Sequence, residues 1–258
     1  MTTPAAPDSR QPAAPAPARR GYLAQSNDAH NSVLMVLPLF VVYQIGILLT
    51  DGWMNGVDFV TSRLMQAVGG DILWYLGINV VVLLCALVFL KLQASRARFR
   101  PSVLVGVLVE STLYAFVMGR LAVLVLLQVG LRPTAGPTVA EDSMGLLDAV
   151  VLSIGAGTYE ELVFRVGLLW GSYRLWTTFR PPSLLPFVVA LVVSSLVFSG
   201  IHYAPFGMDD FNLWSFFFRA VLGVMFGLLF WFRGFAVAVY THAIYDIVIL
   251  VPRSLGLG

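Results

Sequence analysis

The sequence predicts an all-α protein, a polytopic transmembrane bundle of about seven helices. Hydrophobic residues make up 58% of the 258 residues and charged residues only 12%, whereas about a quarter of the residues in a soluble domain are charged. Several apolar runs reach or approach the roughly 20 residues that a helix needs to cross a bilayer. This composition excludes a soluble globular enzyme and makes the lipid bilayer the expected surroundings of the chain.

Seven apolar runs are candidate spans, each set off from the next by polar or glycine residues. They lie at 33–49, 72–92, 102–131, 145–170, 184–203, 213–232 and 235–251. The third run is longer than a perpendicular crossing requires, so we expect it to tilt or to extend beyond the bilayer. Only Arg233 and Gly234 separate the last two runs, which predicts a very tight turn.

Two segments outside these runs have predictions of their own. Residues 1–30 are rich in Pro and Ala and lack hydrophobic periodicity, which predicts a disordered cytoplasmic tail. Residues 31–258 then form the membrane domain, with a motif-bearing core at 145–251. Residues 51–71 predict a short interfacial helix. Its apolar side is formed by Trp53, Phe59, Leu64 and Met65.

The charged residues of the loops predict the orientation of the bundle. Ten Lys and Arg residues fall in the tail and in every second loop, against three on the opposite side. Cytoplasmic loops carry the excess of positive charge, so the N-terminus is expected in the cytoplasm and the C-terminus outside. The Pro/Ala-rich tail suggests a prokaryotic chain and hence the bacterial inner membrane. The basic residues form no continuous stripe, which argues against a nucleic-acid partner.

The fourth run contains the polar group on which the functional interpretation depends. Glu160, Glu161 and Arg165 lie within it, although each charge at the centre of a membrane helix costs roughly 2.5–3.5 kcal/mol on insertion scales. Glu161 and Arg165 are four residues apart on one helical face and are expected to pair. Glu160 points about 100° away and faces something else. An acid neutralised by an arginine, next to a second acid that faces another direction, predicts a functional site.

Two histidines and a further acid occur in later runs. His202 ends the fifth run, and His242 and Asp246 lie four apart in the seventh, so the latter two project from one helical face. Each has an ordinary structural interpretation when taken alone. Polar residues on three spans of a bundle face inward, however, where they can converge.

Three other charged residues in or near the spans are ranked below these. Glu110, Arg120 and Arg219 are compatible with a brace between Glu110 and Arg120 or with snorkelling towards the interface.

These residues carry a resemblance to a known family. Glu160-Glu161-x-x-x-Arg165, Phe198-x-x-x-His202 and His242-x-x-x-Asp246 follow one another on successive hydrophobic runs. The pattern resembles the CAAX protease and bacteriocin-processing (CPBP) family, intramembrane endopeptidases that include the Ras-converting prenyl-protein protease. The motifs cover about a third of the chain.

The family's last motif ends in Asn or Asp. Because an ionised Asp cannot donate a hydrogen bond to an oxyanion, Asp246 is expected to orient His242 or to bind a metal.

The resemblance implies hydrolysis of a peptide bond near the C-terminus of a membrane-anchored or lipidated protein or peptide. No Ser or Cys nucleophile with an obvious base is present, so an activated water is the expected attacker, with Glu160 as its general base. By resemblance, His202 holds the same water and His242 stabilises the oxyanion. Two versions stay open. In the metal-dependent version, Zn²⁺ is held by a set drawn from Glu160, His202, His242 and Asp246. In the other version, Glu160 and His202 act without metal.

Two other classes of function are compatible with the same residues. A non-catalytic relative, with a bacteriocin-immunity or scaffolding role, would use the polar residues to hold helices together. A haem protein would use His202 and His242 as a pair of axial ligands.

Overall fold

The computed structural model describes residues 21–50, 59–93, 99–133, 144–203 and 210–257 of the chain. The regular structure of these ranges is helical. In chain order the helices are α1 (Tyr22–Ser26), α2 (Ala29–Leu49), α3 (Phe59–Ala67), α4 (Ile72–Gln93), α5 (Pro101–Gln128), α6 (Leu146–Gly155), the π-helical segments π1 (Ala156–Glu160) and π2 (Leu162–Trp170), α7 (Gly171–Phe179), α8 (Leu184–Gly200), α9 (Leu213–Arg233) and α10 (Phe235–Ser254).

The lengths and composition of the helices confirm the polytopic helical bundle. Among the described residues, five helices are long and apolar enough to cross a membrane: α2, α4, α5, α9 and α10. Helix α8 is apolar but shorter, with 17 residues. The predicted span at 145–170 is one helical run from α6 to α7 in which the backbone changes from α to π geometry and back. The chain is an integral membrane protein.

The first helices begin inside the segment that was predicted to be a disordered tail. Residues 1–20 lie outside the described residues, but α1 and the start of α2 fall within the last third of that segment. Asp28 caps α2 by accepting from the Asn31 backbone N–H at 3.1 Å, and Asn31 Nδ2 donates to the Gln25 carbonyl at 3.0 Å. The prediction was wrong here because these bonds are made by polar residues, which leave no hydrophobic periodicity. The predicted interfacial segment contains α3, while Trp53 lies outside the described residues.

Helix α10 lies at the centre of the bundle. Residues 236–243 are all buried, and α10 packs against α2, α5, α6, α9 and π1. A core cluster joins Val237 and Val239 of α10 to Met35 of α2 and Val107 of α5. The position of His242 in this helix therefore places its imidazole inside the protein.

The connection between α9 and α10 is a single glycine. Gly234 has φ 92°, a left-handed conformation that residues with a Cβ rarely adopt. A Cβ at this position would also lie 2.9 Å from Asn27 Oδ1. This confirms the predicted tight turn, and it fixes the antiparallel register of α9 and α10.

Glu110 pairs with Arg233 at this same end of the bundle, so of the two interpretations that the sequence left open for Glu110 and Arg120, the brace between them is wrong. Arg233 Nε and Nη2 donate to the two Glu110 oxygens at 2.6 and 2.7 Å. Tyr22 and Tyr114 donate to the same carboxylate at 2.5 and 2.9 Å. Burial, reinforced by the Glu110 charge, raises the pKa of Tyr22 well above its usual range. Arg120 instead donates to the carbonyl of Phe116, one turn earlier in its own helix.

Candidate active site

The first motif lies where the helix changes geometry. Glu160 ends π1, Glu161 follows it and Arg165 lies in π2. π-Helical turns are rare and occur frequently at functional sites. Sequence spacing assumes an α-helix throughout, so this feature was missed.

A glycine allows π1 to approach α10 closely. A Cβ on Gly157 would lie 2.8 Å from the Ala243 backbone nitrogen and 2.9 Å from the Val239 carbonyl oxygen. Because these are backbone atoms of the central helix, they cannot move aside as a flexible side chain would. Glycine at this position therefore permits the contact that sets Glu160 and Glu161 beside His242.

Glu161 and Arg165 form the predicted pair. Arg165 Nε lies 3.1 Å from Glu161 Oε2, and both side chains are fully buried. The guanidinium lies over the rings of Phe198 and Phe226, 4.9 and 5.9 Å from their centroids. The pair is thus enclosed by π2, α8 and α9, with aromatic faces beside the cation.

Ser194 of α8 links this pair to the π-helical backbone. Its hydroxyl accepts from Arg165 Nη1 at 3.5 Å and donates to the Phe164 carbonyl at 2.7 Å. Ser194 is fully buried. Sequence reasoning missed this residue, although a serine in the middle of an apolar run was a visible signal.

His242 is oriented by Glu161 and by an aromatic ring. The imidazole Nδ1 lies 2.9 Å from Glu161 Oε1, and the ring stacks on Phe226 at 4.5 Å with an interplanar angle of 17°. Glu161 is also paired with Arg165, and a carboxylate in such a pair accepts hydrogen bonds, so Nδ1 is the donor in this contact. The other nitrogen, Nε2, is thereby directed towards Glu160 and Asp246.

Glu160 and Asp246 face the same nitrogen of His242. Nε2 lies 3.9 Å from Glu160 Oε2 and 3.5 Å from Asp246 Oδ2. Both separations exceed a good hydrogen bond. Glu161 contacts Nδ1 of His242, whereas Asp246 lies on the Nε2 side.

His202 lies just beyond the end of α8, half-buried. Its Nδ1 donates to the Phe198 carbonyl at 2.8 Å. The Phe198 ring contacts both imidazoles, with centroids 5.2 Å from that of His202 and 6.0 Å from that of His242. The histidines of the fifth and seventh predicted spans therefore lie on one common ring.

The predicted zinc ligands do not form a metal site as they stand. Within the described ranges, no three His, Cys, Asp or Glu side chains are grouped so that they would hold a metal ion. A tetrahedral Zn²⁺ needs three or four ligand atoms about 2.0–2.3 Å from one point. Zinc dependence stays a prediction, and no step below is assigned to a metal.

A buried polar network adjoins the site on the side of α2 and α4. Tyr159, next to Glu160, donates to Asn79 Oδ1 and accepts from Gln44 Nε2 at 2.6 Å. Asn79 and Tyr75 are the buried residues of α4, so this network anchors an otherwise exposed helix. Gln44 and Asn79 are polar residues inside predicted spans, a signal that sequence reasoning did not use.

Comparison with known proteins identifies the same part of the chain. Residues 142–248 match the family model described as Type II CAAX prenyl endopeptidase Rce1-like. The match covers about two fifths of the chain and includes all six predicted site residues. No curated protein and no solved structure matches the chain. The resemblance inferred from the three motifs is confirmed at the level of the family. Over residues 142–248, the chain is similar to the Rce1-like family of type II CAAX prenyl endopeptidases.

Proposed function

We propose that this protein is an intramembrane endopeptidase that cleaves near the C-terminus of a membrane-anchored or lipidated protein or peptide. One observation carries the proposal. Glu160 and His242 Nε2 face each other across 3.9 Å in the buried interior, in the part of the chain that matches the endopeptidase family. This arrangement provides an acid and an imidazole on either side of a space for water.

Glu160 acts as the general base in the proposed reaction. It takes a proton from the water held between it and His242, while the water oxygen forms a bond to the scissile carbonyl carbon. When the tetrahedral intermediate collapses, the carbon–nitrogen bond breaks and Glu160 returns the proton to the leaving amine. His202 holds the same water.

His242 stabilises the negative charge that develops on the carbonyl oxygen. Three carboxylates surround its ring, at 2.9, 3.5 and 3.9 Å from its nitrogens, and they favour the imidazolium form. With Nδ1 donating to Glu161, the second proton on Nε2 points at the reacting centre. A preorganised donor of this kind is worth more in a water-poor interior than in water.

Glu161 and Arg165 position the reacting groups. Arg165 pairs with Glu161, and Glu161 fixes the rotation and the protonated nitrogen of His242. Glu160 is the acid that reacts with water, and Asp246 adds negative charge beside Nε2.

The substrate is held in the bilayer by its own lipid or membrane anchor, and a prenylated C-terminal segment fits the family. The excess of positive loop charges supports a cytoplasmic N-terminus and an external C-terminus in a bacterial inner membrane. In the alternative version, a set drawn from Glu160, His202, His242 and Asp246 would hold Zn²⁺, and the metal would supply the activated water.

A Glu160→Gln variant tests the catalytic assignment. The full chain, purified in detergent, is assayed on a panel of farnesyl-cysteine and unmodified C-terminal peptides. Loss of the base is expected to lower kcat by about 10²- to 10⁴-fold, with the thermal unfolding midpoint retained. Undiminished cleavage would refute the role of Glu160. A parallel assay with a chelator separates the metal-dependent version, which loses activity, from the metal-free one.

A further inference from the structure

We infer that Tyr159 positions Glu160 for its reaction with water, and that Gln44 of α2 and Asn79 of α4 hold Tyr159 in place. The inference rests on the proposed function, because it assigns positioning residues to the same reaction. Gln44 and Asn79 lie outside residues 142–248, the part of the chain that matches the endopeptidase family. The first half of the chain thus takes part in building the site.

The position of Glu160 depends on contacts that π1 makes with other helices. Glu160 is the last residue of π1, and π-helical turns are rare in proteins, so surrounding contacts have to support this backbone. Gly157 packs on the backbone of α10 and provides support on one side. A group that acts as a base has to be held within about 0.5 Å of its productive geometry. Support on the opposite side of π1 is therefore part of what the reaction needs.

The Tyr159 hydroxyl provides a link to α2 and α4. Tyr159 directly precedes Glu160 in the chain, and its hydroxyl accepts from Gln44 Nε2 at 2.6 Å and donates to Asn79 Oδ1. Asn79 Nδ2 donates in turn to the Tyr75 carbonyl at 2.9 Å, which leaves the oxygen of this amide to face Tyr159. Tyr159 and Asn79 are both buried. Loss of the hydroxyl would therefore leave a buried acceptor without its donor, which is costly in a protein interior.

Aromatic side chains of α2 enclose the ring of Tyr159. Its centroid lies 5.9 Å from that of Phe40 and 5.4 Å from that of Tyr43. Tyr43 belongs to the same core cluster, and its hydroxyl is bonded to Thr61 Oγ1 of α3 at 2.8 Å. The cluster thus contains two tyrosines with different links, one from π1 to α2 and α4 and the other from α2 to α3.

Tyr159 acts through Glu160, because the structure directs the two neighbouring side chains to different helices. Tyr159 is bonded to α2 and α4, whereas Glu160 faces α10, with its Oε2 atom 3.9 Å from His242 Nε2. The link of Tyr159 and the packing of Gly157 hold π1 from two sides, and together they set this separation.

The test compares Tyr159→Phe with Tyr43→Phe. Each change removes a hydrogen-bonded hydroxyl from a buried tyrosine of the same cluster, but only the first releases π1 from α2 and α4. Values of kcat and KM are measured for the full chain in detergent on a farnesyl-cysteine C-terminal peptide, together with the thermal unfolding midpoint.

We expect Tyr159→Phe to lower kcat by about 10- to 100-fold with KM nearly unchanged, because small misplacements of a catalytic group have effects of this size. Tyr43→Phe retains the kcat of the wild type. Both variants lose about 2–4 °C of unfolding midpoint, the usual effect of one hydrogen bond in a chain of this size. Equal kcat values for the two variants overturn the inference.

Asn79→Leu tests the same link from its other end and decides the question where Tyr159→Phe fails to fold. It should lower kcat to a similar degree. In the double variant Tyr159→Phe/Asn79→Leu the two losses should not multiply, because both changes break one bond. A wild-type kcat for Asn79→Leu, or losses that multiply in the double variant, would overturn the link.

¹⁵N NMR of the imidazoles separates this inference from the proposed function, because it needs no cleavage. The chain has three histidines, and a His242→Gln sample assigns the signals of interest. Glu160→Gln is expected to shift the Nε2 signal of His242. Tyr159→Phe should shift it in the same direction by a smaller amount, and Tyr43→Phe should leave it in place.

The two proposals fail in different ways in these experiments. Undiminished cleavage by Glu160→Gln refutes the catalytic base, while the NMR comparison still reports whether Tyr159 sets the position of Glu160. An Nε2 signal that moves in Glu160→Gln but not in Tyr159→Phe overturns the positioning role of Tyr159, whatever the rate of cleavage.

Discussion

Among the described residues, two Glu–Arg pairs differ in how many of their polar atoms are hydrogen-bonded. Glu161 and Arg165 are four residues apart and fully buried. Neither Glu161 Oε2 nor Arg165 Nη2 makes a hydrogen bond to any group of the described residues. Glu110 and Arg233 are 123 residues apart and partly exposed. Both Glu110 oxygens accept from Arg233, and each also accepts from a tyrosine.

This difference indicates which pair has a role in the active site besides its structural one. A buried ion pair that lacks complete hydrogen bonding contributes little net stability, so a purely structural role explains Glu161–Arg165 poorly. Glu161 also accepts from His242, so the pair is suited to orienting the imidazole. Each Glu110 oxygen accepts two hydrogen bonds. The Glu110–Arg233 pair lies away from the site, where it links α1, α5 and α9. Activity should follow the first pair, and stability should follow the second.

The largest effect is expected from Glu161→Gln. The change leaves Arg165 as a buried charge without its carboxylate, which costs about 3–5 kcal/mol in the free energy of unfolding. It also replaces the carboxylate that accepts from His242 Nδ1 with a neutral amide, which is a weaker acceptor and can turn its NH₂ group to the imidazole instead. Cleavage should be almost abolished. Denaturant unfolding and kcat are the measurements.

A double variant keeps this prediction testable where Glu161→Gln fails to fold. Glu161→Gln/Arg165→Met removes both charges and should regain most of the stability. It should still not cleave, because His242 lacks its carboxylate. Normal cleavage by the folded double variant would show that Glu161 does not position His242.

A smaller effect, on stability alone, is expected from Glu110→Gln. The free energy of unfolding should fall by about 2 kcal/mol, because charge-assisted hydrogen bonds from Arg233 are weakened, while kcat of the folded protein is unchanged. Arg120→Gln is the control and should change stability by less than about 0.5 kcal/mol. Equal destabilisation by the two variants would contradict this prediction and would favour a brace between Glu110 and Arg120.

The smallest effect is expected from Ser194→Ala, which loosens Arg165 without removing a charge. We expect kcat to fall about tenfold with KM nearly unchanged, because Arg165 is held less firmly, while the lost hydrogen bond lowers the free energy of unfolding by about 1 kcal/mol. Ser195→Ala is the matched control, since the Ser195 hydroxyl is equally buried but bonds to the Leu191 carbonyl of its own helix. A similar loss of kcat in both variants would contradict a positioning role for Ser194.

Interactions within one helix were predictable from the sequence. The apolar runs gave the positions of the spans, and the four-residue spacing gave the Glu161–Arg165 pair. The Arg233-Gly234 step gave the turn, because glycine is a residue that readily adopts a left-handed conformation. In each case the determining contact is local, so residue spacing alone describes it.

Interactions between helices were not predictable in the same way. The partner of Glu110 is 123 residues distant, and the contact of Glu161 with His242 depends on how π1 packs against α10. The π-helical backbone itself depends on tertiary packing, to which Gly157 contributes by allowing the close approach. Spacing rules describe one helix at a time and contain no information on the distance between two.

The single-glycine link between α9 and α10 limits how the chain length may change in evolution or engineering. One inserted residue after Gly234 would rotate the following helix by about 100° and shift it by about 1.5 Å. The imidazole eight positions later would leave both its stacking ring and its carboxylate. Peptide tags and loop grafts therefore belong at other connections, and we expect proteolytic relatives to keep this link at its present length.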